Sequence, residues 1–280
     1  MNDNDLPDGP ASDQQQMGRV LVVAGSDSGG GAGIQADIKT ITVLGAYAAT
    51  AVSAITVQNT LGVSQVFPLE ADLVRAQMRA VLDDIGADVV KIGMLHSSAV
   101  IEAVAAELEA RSDIALVVDP VMVATGGTVL LEDDAMLALR NLLVPMATIL
   151  TPNMPEAAAL TGKPVETLDD QKRAGDALIG LGPKAVLVKG GHGNDPDVYD
   201  VLVMQDSIEI MSSPRIETRN THGTGCTLAS AIAAFLSQGA PMRDAVSIAR
   251  DYVHEAILTA PGLGKGHGPL NHMHPFQGED

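Results

Sequence analysis

VLVVAGSDSGGGAGIQADIKTITVL, residues 20–44, passes from an unbroken apolar stretch through a glycine-rich loop into a helical pattern. A run such as Val20–Ala24, with no polar residue, suits a parallel strand covered on both faces. The loop after it, Gly25–Asp37, opens a helix predicted over 33–44. The same order recurs along the chain. Continuous apolar strands are predicted at Asp88 (DVVKIGM), Ile114 (IALVVDPV), Ala147 (ATILTPN) and Lys184 (KAVLVKGG). Further strands start at Ala51 (AVSAITV), Val63 (VSQVFPL), Asp200 (DVLVMQ) and Ser207 (SIEIMSS), the last two joined by Gln205-Asp206 as an antiparallel edge hairpin. Helices are predicted near 70–84, 97–111, 133–143, 154–161, 168–181, 224–238 and 241–258. Alternation of this kind specifies an α/β fold, a mostly parallel central sheet with helices on both faces. No repeat or Pro/Gly/Ser-rich linker divides it, so residues 18–280 read as one domain behind an acidic tail, 1–17, expected to be disordered.

Composition narrows the function. Of 280 residues, 46% are hydrophobic and 19% charged, the balance of a chain that folds around a large core. A net charge of −18, with three Tyr, three Phe and no Trp, argues against nucleic acid or an anionic membrane as partner. One cysteine permits no internal disulfide and suggests a reducing compartment, hence the cytoplasm. The first 17 residues carry no apolar core, so no signal peptide is expected, and no apolar run is long enough to span a bilayer.

Open sheets of this kind bind ligands beyond the carboxyl ends of their strands. Six predicted ends carry polar or glycine punctuation: Gly25-Ser26-Asp27, Gln58-Asn59-Thr60, Gly93-Met94, Asp119-Pro120, Thr151-Pro152-Asn153 and Lys189-Gly190-Gly191. They imply one shared site. It is not a dinucleotide site, because Ile34 stands where the third glycine of the fingerprint belongs and Gln58 replaces the acidic residue that would grip a ribose. No Walker A motif occurs. The first loop fits a cover over a small polar substrate, with Asp27 and Asp37 as acceptors.

The second glycine turn, NTHGTGCT at 220–227, runs straight into TLASAIAAFLSQ and stops at Gly239. Amides at such a helix start converge on one concavity at the positive end of the helix dipole. Gly223, Thr224 and Gly225 therefore form a pocket for developing negative charge, and Cys226, its thiol expected to be acidified there, is positioned to take a proton. Asn153 and Glu156 have the spacing of a helix capping box, and equally place a carboxylate where Mg²⁺-bound water could meet phosphate. Asp119 has the same pair of readings, and Lys189 could neutralise phosphate charge. His192, His222, His254, His267, His272 and His274 lack metal-ligand spacing; His222 belongs to the glycine turn and His96 is expected to cap or pack.

Seven segments together resemble the hydroxymethylpyrimidine/phosphomethylpyrimidine kinases of thiamine biosynthesis, in the ribokinase-like superfamily: AGSDSGGGAGIQADIKT, GAYAATAVSAITVQNTLGV, KIGML, VVDPVM, TPNMPEA, VKGGH and NTHGTGCT. The resemblance runs from about Arg19 to Pro269 and implies a three-layer ribokinase-like sandwich. It also implies ATP-dependent phosphorylation of 4-amino-5-hydroxymethyl-2-methylpyrimidine to its monophosphate and then its diphosphate, with Mg²⁺ and ATP required and a homodimer as the assembly. It assigns Gly25, Ala32, Asp37, Gln58, Met94 and Val121 to the pyrimidine pocket. Asn153, Glu156 and Lys189 go to the Mg-ATP side beside Asp119, with Mg²⁺ held by Glu156 and Asp119 through water. Wider relatives carry an aspartate base where this chain has Cys226. Ser26 and Ser28 stand where Thr and Pro also occur, and Thr56 occupies an often apolar pocket position. Pyridoxal kinase activity, on the same scaffold, is the nearest alternative; a non-catalytic nucleotide or pyrimidine sensor is the alternative of another class.

Overall fold

The computed structural model describes residues 17–124, 127–191 and 195–277. Within them, nine strands join one sheet in the order β3-β2-β1-β4-β5-β6-β7-β8-β9. These are β1 (Arg19–Asp27), β2 (Tyr47–Asn59), β3 (Gly62–Pro68), β4 (Val89–Ile92), β5 (Ala115–Val118), β6 (Ile149–Leu150), β7 (Ala185–Val188), β8 (Asp197–Met204) and β9 (Ser207–Pro214). Strands β2, β1, β4, β5, β6 and β7 run parallel. Strand β8 pairs antiparallel with β7 and β9, so the expected edge hairpin is present. The opposite edge holds a second one: β2 turns back into β3.

Among the described residues, eight α-helices cover the faces: α1 (Gly33–Val43), α2 (Ala71–Leu82), α3 (Ser98–Glu109), α4 (Asp133–Ala138), α5 (Met154–Thr161), α6 (Leu168–Ile179), α7 (Thr224–Ser237) and α8 (Met242–Leu258). Side chains alternate across a strand, so β1 feeds both cores. Leu21 and Val23 join the cluster under α2, α3, α5 and α6, while Val20, Val22 and Ala24 join the one under α1, α7 and α8. The helix predicted over 133–143 is shorter. After Ala138 it relaxes into a π turn at Leu139–Leu143 and a 3₁₀ turn at Val144–Met146, where Pro145 has no N–H to continue the helical ladder. Among the described residues no helix is long and apolar enough to cross a membrane. The tail 1–16 and His192 lie outside the described residues.

Candidate active site

A cavity of about 850 Å³ opens at the carboxyl ends of the parallel strands, and all six punctuated strand ends contribute to its wall. Its geometry comes from two glycine loops locked into each other. Gly223, with φ 85°, caps α7, and a Cβ there would lie 1.8 Å from the carbonyl oxygen of Gly31. From the other loop, a Cβ on Gly31 would lie 2.5 Å from the His222 ring. At Gly223 glycine is required by both the close backbone approach and the positive φ, whereas at Gly31 a Cβ would push against the His222 ring.

Asp27 ties the two loops together. Its carboxylate accepts from the amides of Gly29 (2.7 Å), Gly31 (3.0 Å) and Ala32 (2.8 Å), and lies 2.9 Å from His222 Nε2. Burial pushes this carboxyl up, but the bonds from His222, Ala32 and Gly29 outweigh it and hold it below the usual range. Asp27 is thus committed to the loop rather than free for a substrate. His222 Nε2 is also 3.3 Å from the Gln58 carboxamide, whose other end meets the Thr56 hydroxyl at 2.9 Å. The polar side chain at position 56 therefore helps orient Gln58.

Gly25, Ala32, Gln58, Met94 and Val121 all border the cavity, as does Cys226. Asp37 does not. It is fully buried under α1, with Lys91 Nζ 3.0 Å from both carboxylate oxygens and the Ser230 hydroxyl donating at 2.7 Å. Its place in the pyrimidine pocket is corrected: Asp37 lies on the inward face of an amphipathic helix, one layer behind the wall. Cys226 also departs from expectation. The residue is half-buried; its sulfur accepts from the Gly33 amide, and the thiol is pushed up to about 11 by burial, against the pull of Lys91. A helix start favours thiolate, but desolvation is the larger effect here.

Charged residues also border the cavity. Lys189 Nζ binds Asp119 Oδ1 at 2.7 Å, and Thr151 Oγ1 donates to the same oxygen at 3.0 Å. A Cβ on Gly225 would stand 3.3 Å from Lys189 Nζ and 3.5 Å from Asp119 Oδ2, so this pair sits directly at the start of α7. Burial would lower the Lys189 ammonium, but Asp119 and Glu156 hold it above its ordinary value. Glu156 has the capping-box geometry that its spacing predicted. It closes the capping box with Asn153 (2.8 and 2.9 Å) and also borders the cavity, where burial lifts its carboxyl to about 7 against the pull of Lys189.

Sequence reasoning passed over Lys91, Asp200 and Arg250. Arg250 Nε binds Asp200 Oδ2 at 2.7 Å, and the Gly190 amide donates to Asp200 Oδ1 at 2.7 Å, fixing the lip of the cavity. Only Lys91 had a signal, a cation inside the otherwise apolar run DVVKIGM. His96 packs: its φ is 71° and Nδ1 lies 3.0 Å from the Leu130 carbonyl oxygen.

A glycine-capped helix start with a lysine and two carboxylates beside it, bordering a small-molecule-sized cavity at the strand ends, fits a ribokinase-like small-molecule kinase. Residues 27–271 match the family described as phosphomethylpyrimidine kinase, and the chain belongs to that family. It is 44% identical over 256 residues to a hydroxymethylpyrimidine/phosphomethylpyrimidine kinase of Bacillus subtilis, covering 91% of this chain and 94% of the relative. A thiamine biosynthesis bifunctional protein ThiED of Geobacter sulfurreducens is 49% identical over 91% of this chain, which spans about half (52%) of that longer protein. Among solved structures, the ADP complex of Bacillus subtilis pyridoxal kinase superposes with a TM-score of 0.85 at 36% identity, covering 92% of this chain and 98% of that one.

Proposed function

We propose that the chain transfers the γ-phosphoryl group of ATP to the hydroxymethyl oxygen of 4-amino-5-hydroxymethyl-2-methylpyrimidine, and then phosphorylates that monophosphate to the diphosphate, within thiamine biosynthesis. The observation that carries this reading is one cavity bordered by Gln58 and by Cys226, with Lys189, Asp119 and Glu156 gathered near the start of the Cys226 helix. The Gln58 carboxamide offers a donor and an acceptor to an aminopyrimidine edge. In its thiolate form Cys226 Sγ takes the hydroxymethyl proton, becoming the thiol as the oxygen attacks phosphorus, and the Gly223–Gly225 amides with Lys189 hold charge on the transferred group. In the second step the nucleophile is a phosphate oxygen, already ionised, and needs no base.

Asp119 and Glu156 fit Mg²⁺ as hard oxygen ligands beside a phosphate seat. Bound there, Mg²⁺ would neutralise charge on the β- and γ-phosphates. A coupled assay of ATP consumption with the hydroxymethylpyrimidine tests the assignment; no turnover in the presence of Mg²⁺ overturns it.

The likeness to a pyridoxal kinase supports a side activity on pyridoxal. Competition kinetics between the two rings separates them: a higher kcat/KM for pyridoxal would reverse the order of preference. We further infer a homodimer, supported by the apolar side chains that the β2–β3 edge leaves exposed, Ile55, Val57 and Phe67 among them. Sedimentation equilibrium reads this directly, and a monomer mass would reject it. The single cysteine supports placement in a reducing compartment, the cytoplasm.

A further inference from the structure

Lys91 and Asp37 form an ion pair with no exposure on either side, between β4 and α1. Burying two charges brings a desolvation penalty that apolar residues of similar volume would avoid, so such a pair is weak evidence for stability. Its surroundings point to the reacting sulfur instead. Ser230, which donates to Asp37, lies four residues after Cys226 on α7, one turn along the same helix face. Gly93, two residues after Lys91, is part of the cavity wall, and a Cβ there would lie 3.1 Å from Lys91 Nζ. The ammonium therefore stands immediately behind the floor that Cys226 shares, out of reach of ligand and water.

We propose that Lys91 is a positioning residue for the first phosphorylation: its cation, held in place by Asp37 and Ser230, stabilises the Cys226 thiolate that receives the hydroxymethyl proton. Several other groups act on the sulfur. The Gly33 amide from α1 donates to it, Asp119 beyond β5 and Asp37 on α1 oppose the thiolate, and Lys189 beyond β7 interacts with it across the start of α7. Of these, Lys91 exerts the strongest pull toward the ionised form. The inference rests on Cys226 being the base, and its test reads the sulfur separately from turnover.

Because Cys226 is the only cysteine, iodoacetamide alkylation followed against pH reports this thiol alone. Lys91→Met should raise the alkylation midpoint by on the order of one pH unit, and Asp37→Asn should lower it. A merely structural pair would not move it in opposite directions. Should either single variant fail to fold, Lys91→Met/Asp37→Asn leaves no unpaired charge, and its midpoint should lie above that of the wild type. The first-step rate at pH 7.5 should follow thiolate content, falling with Lys91→Met and in the double variant. Midpoints that stay fixed, or that move the same way in both single variants, overturn the role of Lys91 and leave the base assignment standing. Midpoints that shift as expected while the first-step rate stays constant overturn the base assignment, and the positioning role with it.

Discussion

The sheet carries two lysine–aspartate pairs, and they differ in one respect that decides what each can do. Lys91–Asp37 is wholly sealed, whereas Lys189–Asp119 keeps 12% of its lysine side chain exposed at the cavity wall. A sealed pair cannot trade its partner for a ligand and acts only through its field. An open pair has the access to exchange partners that the roles proposed for Lys189 toward phosphate and Asp119 toward Mg²⁺ require. Both ammonium groups are held above their ordinary values by neighbouring carboxylates, in spite of burial. Charge state alone would not distinguish them; access does.

The sharpest attempt to break this contrast removes the sulfur that the sealed pair is proposed to serve. Cys226→Ala should reduce the first phosphorylation by about 10² to 10⁴, the usual worth of a general base. The second step, with an anionic nucleophile, should lose distinctly less. Single-turnover rates of both steps check this: equal losses would make Cys226 a shaper of the pocket, and no loss would make it packing only. At the open pair, Lys189→Met should reduce kcat/KM for ATP by about 10² to 10³, as for loss of one preorganised charge-stabilising donor. It should slow both steps alike, and a loss confined to the first step would erase the distinction between the pairs.

Smaller effects sharpen the picture on either side. Gln58→Leu leaves a ring polar group unpaired and should lower kcat/KM for the pyrimidine by about 1–3 kcal/mol, with ATP kinetics unchanged. Steady-state kinetics with each substrate varied will show whether Gln58 reads the ring. Glu156→Gln keeps most of the capping geometry while deleting a carboxylate that burial has lifted from 4.5 to about 7. With the folded value raised, that group's contribution to stability is full below pH 4.5 and is lost as pH climbs through about 7. The wild type should therefore lose more Tm between pH 5 and pH 8 than Glu156→Gln does, and the variant should need more Mg²⁺ for half-maximal rate. A variant that is less stable at every pH, with unaltered Mg²⁺ dependence, would make Glu156 a cap residue alone.

Legibility in the sequence followed chemistry that is local. Strands β1, β4, β5, β6 and β7 begin within two residues of where their apolar runs begin, because parallel strands covered on both faces need unbroken apolar residues. The six punctuated ends meet at one cavity because strands of a doubly wound sheet share a direction. The Asn153–Glu156 box was visible from three-residue spacing. Less was visible where distant segments meet. The antiparallel turn of β2 onto β3 depends on which edge remains unpaired, and the break after Ala138 on how the chain around Pro145 returns to the sheet.

By itself, then, the sequence determined the layer architecture, the location of the site at the strand ends and the residue types that line it. Period and punctuation are written in neighbouring residues. Tertiary structure decided which acids touch the cavity and what ionises. Asp37 and Asp119 were both expected at the site, yet one is sealed between α1 and β4 and the other stands at the cavity wall. Cys226 begins a helix that should favour its thiolate, yet the enclosing protein lifts its titration to about 11. Desolvation and long-range charge depend on everything packed around a group, and that is set only when the sheet, its two helical layers and the interlocked glycine loops have closed together.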